Sequence, residues 1–128
     1  MRFRTLSLAT AALAITLFAC LLLAPGLVLA LFAVPIDAPA GFLARRAAML
    51  FLGFAVLSYL ARDVPHSSAR QAVAAGVGAS MLGLAMLGLA ELARGYAGPG
   101  ILLAVVGELA FAVGHLSLWW RHRQTTGG

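Results

Sequence analysis

Polar residues are sparse along this chain and arrive in bunches. Between the bunches run four stretches in which apolar residues follow one another, with neither the strict alternation of a half-buried strand nor the one-sided stripe of a surface helix. A run of 18 or more residues apolar on every side reads as a helix solvated by lipid. The first run, residues 6–34, is about 29 residues or roughly 43 Å of helix, longer than a straight span requires. Pro25-Gly26 lies inside it. That pair predicts a kink, or a span ending near Leu23 followed by a short interfacial helix over residues 26–32. The first element is therefore placed at residues 6–32, broken at Pro25. After the proline-flanked loop 34–39, a second span is expected over residues 40–61. The polar exit 62–68 offers Ser67 or Ser68 as the cap of a third span, residues 69–92. The turn 94–100 launches a fourth span over residues 101–120, which ends at Trp119-Trp120-Arg121 as an aromatic belt. The prediction is an all-α polytopic membrane protein, a bundle of four transmembrane helices in one membrane domain covering residues 1–128.

Composition narrows the function. Of 128 residues, 62% are hydrophobic, about 79 residues, which suffices for roughly four spans of about 20 residues and leaves little for anything else. Only 10% are charged, against about 25% in ordinary globular chains. A soluble catalytic domain, a nucleic-acid-binding domain and a disulfide scaffold are thereby excluded, the last also because Cys20 is the single cysteine. The net charge of +5 comes from nine arginines and no lysine, a usage read as that of a GC-rich bacterial gene. Arginines stand at the ends of the apolar runs, where they act as topology signals rather than as a phosphate-binding stripe. With both termini on one side, that side holds Arg2, Arg4, Arg62, Arg70, Arg121 and Arg123, and the other holds Arg45, Arg46 and Arg94. Six against three predicts cytoplasmic termini in a bacterial inner membrane. Residues 1–20 are not expected to be a cleaved signal, since Cys20 is followed by more leucine rather than by polar sequence. Setting Gly41 against Gly100 aligns the second span with the fourth, a faint repeat that would relate two hairpins by an axis along the membrane normal.

Few residues are left to carry chemistry. Glu108 lies about ten residues from either end of the fourth span, where insertion of an acidic side chain costs roughly 2.5 to 3.5 kcal/mol. It is expected to face the bundle and to be paired, hydrated or protonated, either as a proton-titrating or cation-binding carboxylate or as a hydrogen-bonded strut. His115 falls seven residues later on the same face, a possible relay partner and otherwise an interhelical contact. Arg45 and Arg46, one turn inside the second span, are expected to snorkel and to form an outer cluster with Glu91 and Arg94. Small residues at four-residue spacing, Gly76 with Ser80, Gly83 with Ala79, and Gly100 with Ala104, predict close helix contacts, within the chain or to a second protomer. No Walker loop, HExxH, CxxC or Ser-His-Asp set is present, so no catalytic residue, metal site or cofactor is predicted. Haem would need a second ligand for His115, since His66 and His122 fall in a loop and the tail.

The stretches Leu31-Phe32-Ala33-Val34-Pro35, Ala44-Arg45-Arg46-Ala47-Ala48-Met49-Leu50-Phe51-Leu52-Gly53 and Glu91-Leu92-Ala93-Arg94-Gly95-Tyr96-Ala97-Gly98-Pro99-Gly100 resemble the small four-helix bacterial inner-membrane proteins of unknown function allied with the DoxX-like group. The resemblance covers nearly the whole chain and implies a four-helix membrane bundle, with no catalytic residues to carry over. The functional expectation is a small inner-membrane accessory or assembly component, or a binder of a lipid or other apolar ligand. Its partners would be membrane lipids and a second protomer or larger complex, not nucleic acid. The alternative is a small dimeric proton-coupled transporter using Glu108, although the small multidrug exporters of this size keep their essential Glu in the first span, where this chain has no acid.

Overall fold

A computed structural model describes residues 2–126. The described residues form five helices and no strand: α1 (Phe3–Leu23), α2 (Pro25–Leu31), α3 (Ala38–Ala61), α4 (Ser68–Ala93) and α5 (Ile101–Thr126). Four of them, all but α2, are long and apolar enough to cross a membrane, and between 17% and 33% of each apolar stretch is buried inside the bundle. The rest of each helix faces outward and is apolar, which only a lipid solvent tolerates. This is a four-helix bundle of a multi-pass membrane protein.

The breaks follow from local chemistry. Pro25 has no N–H to give the turn before it, so α1 ends at Leu23, Ala24 leaves helical geometry (φ −142°, ψ 60°), and the seven-residue α2 restarts with Pro25 in its first turn. Asp37 caps α3, its carboxylate accepting from the Ala40 N–H at 2.7 Å, and Ser67 caps α4, accepting from the Arg70 N–H at 3.3 Å. At the far end of α4 the Tyr96 N–H reaches the Glu91 carbonyl and the Gly95 N–H the Leu92 carbonyl, with Gly95 at φ +79°. That is a Schellman stop, and it needs a residue free to adopt a left-handed backbone. The fourth span runs further than the residues 101–120 expected from sequence: α5 continues through Arg121, His122 and Arg123 to Thr126. Nothing there interrupts it, because no Gly or Pro occurs among those residues and Arg123 in the last turn favours the helix dipole.

The helices pack as two pairs, α1 along α3 and α4 along α5, with sparse contact between the pairs. Small side chains make the seams: Ala11 and Ala14 of α1 and Ala48 and Ala55 of α3, then Ala74, Ala85 and Gly88 of α4 with Val105 and Ala112 of α5. The pairs are fastened to each other at their ends. At the end carrying the termini, Leu6 of α1 lies so close to Gly114 of α5 that an added methyl would stand 3.1 Å from it, and Arg70 of α4 lies over the Phe3 ring. At the opposite end the Gly98 N–H donates to the Phe32 carbonyl at 2.7 Å, and Gly100 meets the Leu31 carbonyl closely enough to leave no room for a side chain.

Within the chain, the α4 seam falls on other residues than those the sequence singles out. Buried positions run Ala74, Gly78, Met81, Ala85 and Gly88, in alternating steps of four and three. Gly76 and Gly83, expected at helix contacts, point into open space on the exposed side, and Ser80 turns its hydroxyl back to the Gly76 carbonyl at 2.9 Å. A stripe read in steps of four advances about 40° around the helix at each step, whereas alternating four and three holds to one line. Contact therefore falls to Gly78, where an added Cβ would meet Leu116, and to Gly88, where it would meet Val105.

Candidate functional site

Three features distinguish the interior and one end of this bundle from plain apolar packing. The first is a set of buried hydroxyls around a histidine. In α1 the buried positions Phe3, Leu6, Ser7, Thr10, Ala11 and Ala14 include two hydroxyl residues, Ser7 and Thr10, three residues apart. His115 of α5 is fully buried, and its Nε2 stands 2.8 Å from Thr10 Oγ1. The Thr10 hydroxyl proton is already given to the Leu6 carbonyl at 2.8 Å, so the hydroxyl oxygen accepts and the imidazole donates from Nε2. His115 Nδ1, Ser7 Oγ and Ser58 Oγ are buried without a hydrogen-bond partner among the described residues. Thr10 and His115 form a buried side-chain hydrogen bond across the two helix pairs, a contact of the kind that holds membrane helices in register.

The second feature is an apolar groove of about 460 Å³ on the outer side of the α1–α3 pair. Leu8, Ala11, Ala12 and Ile15 form one wall, and Ala55, Val56, Tyr59 and Leu60 the other. The small side chains Ala11, Ala12 and Ala55 make the floor low while Ile15, Val56 and Leu60 stand up beside it, so the shape is a trough for a narrow hydrocarbon.

The third is a hollow of about 510 Å³ at the end carrying the termini, bordered by Arg2, Arg4, Arg62, Asp63, Arg70 and His122 over an apolar base that includes Phe3 and Leu118. Asp63 is the only acid among its lining residues and is shared by two cations, Arg4 at 3.2 Å and Arg62 at 3.2 Å. Arg70 Nε is buried without a hydrogen-bond partner among the described residues. His66 of the α3–α4 connection and His122 of α5 meet with ring centroids 4.1 Å apart, bringing the loop against the last turns of the bundle. The groove and the hollow adjoin through one side chain: Arg62 lines the hollow, lies over the Tyr59 ring at 3.9 Å and donates to the Tyr59 carbonyl.

The residues singled out from sequence are distributed differently. Glu108 is half-buried two turns inside α5, on the side of the helix that carries the buried Val105, Ala112 and His115, and it has no ion pair or hydrogen bond among the described residues. His115 lies two turns away along the helix, about 10 Å, and bonds to Thr10 rather than toward Glu108. The outer cluster of Arg45 or Arg46 with Glu91 and Arg94 does not assemble. Arg45 folds back beside Gly41 and Arg46 lies 5.7 Å over the Phe42 ring, each toward the start of its own helix, while Glu91 pairs with Arg94 at 3.3 Å. Both guanidinium groups thus reach for the headgroup level along their own stems, a shorter path than across the sparse α3–α4 contact. Ala104 is half-buried on α5. No group of three or more His, Cys, Asp or Glu comes together among the described residues, so a metal centre has no donor set there.

Ser7, Thr10, Ser58, the α1–α3 groove and the role of Arg70 escaped the sequence reading. The signal available for the first two was their three-residue spacing on one face of the first span. Compared with known proteins, the chain matches no family model, no curated protein and no solved structure.

Proposed function

We propose that this is a small, non-catalytic component of a bacterial inner membrane, with both termini cytoplasmic, that binds a lipid or another apolar ligand and serves a larger membrane assembly. The α1–α3 groove carries this reading: eight side chains enclose a trough in which the Tyr59 hydroxyl is the sole polar group. The Thr10–His115 bond and the end fastenings support it, since they tie the α1–α3 pair that carries the groove to the rest of the bundle.

The test is ligand-dependent stability of the purified full chain in mild detergent, with methyl palmitate and a decyl-substituted benzoquinone as probes. A ligand that binds only the folded state adds about 2.7 kcal/mol at a hundredfold excess over its Kd, which a melting curve reads easily. Wild type is expected to show a saturable rise with one or both probes. Ala12→Trp and Val56→Trp, at exposed groove positions, are expected to abolish the rise without lowering the unliganded melting temperature. A rise that survives both substitutions removes the groove from the function.

A second reading, a dimeric proton-coupled transporter, draws on Glu108, a carboxylate two turns inside an apolar helix and without an ion pair among the described residues. The outward-facing Gly76 and Gly83 supply a surface on which a second protomer could seat.

A further inference from the structure

We propose that the groove and the hollow are the two halves of one site for an anionic glycerophospholipid, whose acyl chain lies between α1 and α3 and whose phosphate is held at the end carrying the termini. The inference rests on the reading of the groove as an apolar-ligand site and adds the chemical class of the ligand and the residues that choose it.

Charge is the first ground. The hollow is bordered by four arginines and one aspartate, and the aspartate is committed to Arg4 and Arg62. Arg2 and Arg70 have no ion pair among the described residues. Arg70 itself is the second ground: its side chain lines the hollow and forms no ion pair among the described residues, so its guanidinium is free to take an anionic oxygen. A phosphate diester offers such an oxygen in the planar fork geometry that guanidinium groups match. Arg70 is also pinned over the Phe3 ring at 4.3 Å, so its orientation is fixed before a ligand arrives.

Continuity is the third ground. A headgroup and its chain are covalently joined, so a lipid site must pass from polar to apolar without a barrier. Here Arg62 borders the hollow and lies on Tyr59, which walls the groove. Arg4, on the α1 side of the hollow, is four residues and one turn from Leu8 in the groove wall. Both elements thus pass from guanidinium to hydrocarbon in about one turn, the distance over which a bilayer makes the same change.

The experiment is native mass spectrometry of the full chain released from micelles, with phosphatidylglycerol, phosphatidylcholine, inorganic phosphate and methyl palmitate as separate probes. Wild type is expected to hold one phosphatidylglycerol about tenfold more tightly than phosphatidylcholine, since both carry the phosphate diester and only phosphatidylcholine brings a quaternary ammonium beside the arginines, and to lose the difference at high salt. The paired substitution Arg2→Gln with Arg70→Gln should erase the preference and leave methyl palmitate binding intact, with Arg94→Gln at the opposite end as a control that keeps both. Arg2→Gln alone, at an exposed position before α1, should lower the preference without any effect on folding.

Equal affinity for the two lipids, or a preference that survives loss of Arg2 and Arg70, overturns the proposal. So does inorganic phosphate bound as tightly as phosphatidylglycerol and unaffected by Val56→Trp, which would make the hollow a site for a soluble phosphate compound. If methyl palmitate fails to bind but phosphatidylglycerol is still selected through Arg70, the apolar-ligand reading fails and the phosphate half of the proposal is supported on its own.

Discussion

Among single residues, Thr10 has the most to lose by substitution. Its oxygen is the acceptor for His115 Nε2, and its proton goes to the Leu6 carbonyl, so one hydroxyl serves both its own helix and the facing pair. Thr10→Val keeps the shape and removes both roles, leaving the imidazole N–H buried without an acceptor. The expected cost is about 1–3 kcal/mol, read as a lower melting temperature in detergent, with Thr10→Ser close to wild type. If Thr10→Val melts with wild type, the bond contributes nothing to holding the two helix pairs together. His115 was legible in the sequence because ionisable residues are rare in apolar spans; its partner was not. Hydroxyl residues in these helices often satisfy themselves on the preceding turn, as Thr16 does on Ala12, Ser80 on Gly76 and Ser117 on Gly114. Nothing in the sequence separates those from the one that also reaches across.

At the level of elements, lipid sets span length and leaves helix facing undetermined. The four spans and their breaks could be placed because bilayer thickness fixes length and because Pro25, Asp37, Ser67 and Gly95 each interrupt or cap a helix for a local reason. The facing of α4 could not, since Ala and Gly occur on several of its sides and the hydrophobic contrast that orients a helix in water is missing in lipid. Comparing glycines on that helix tests the observed facing. Gly78→Leu and Gly88→Leu push side chains into Leu116 and Val105, at an expected cost of about 1–3 kcal/mol from overpacking. Gly76→Leu and Gly83→Leu enter open space and are expected to leave the monomer's melting temperature unchanged or slightly raised, because leucine is the better helix former. Cross-linking in native membranes adds the second protomer to the comparison: loss of a dimer band in Gly76→Leu with monomer stability unchanged would assign the exposed stripe to an interface between copies.

For the whole molecule, the decisive question is whether two helix pairs fastened at both ends and sparsely packed between them move against each other. Glu108 lies two turns inside α5, on the side that faces the buried seam, between the His115 bond to Thr10 and the Gly100 contact with Leu31. An unpaired carboxylate there suits a carrier that gains and loses a proton as its halves rock. It suits equally a static bundle in which the acid takes a water or a lipid oxygen. Glu108→Gln separates the two, because the amide keeps the shape and hydrogen bonding and removes the titration. With a ligand-binding bundle, Glu108→Gln should keep the wild-type melting temperature and the wild-type response to methyl palmitate. Vesicles containing either protein should then dissipate an imposed pH gradient no faster than empty vesicles, with or without ethidium as a lipophilic cation. Ethidium-dependent proton release in wild type that disappears in Glu108→Gln would reverse the assignment: α5 would be the working helix of a carrier, and the fastenings at Thr10 and Gly98 would be the pivots about which it turns.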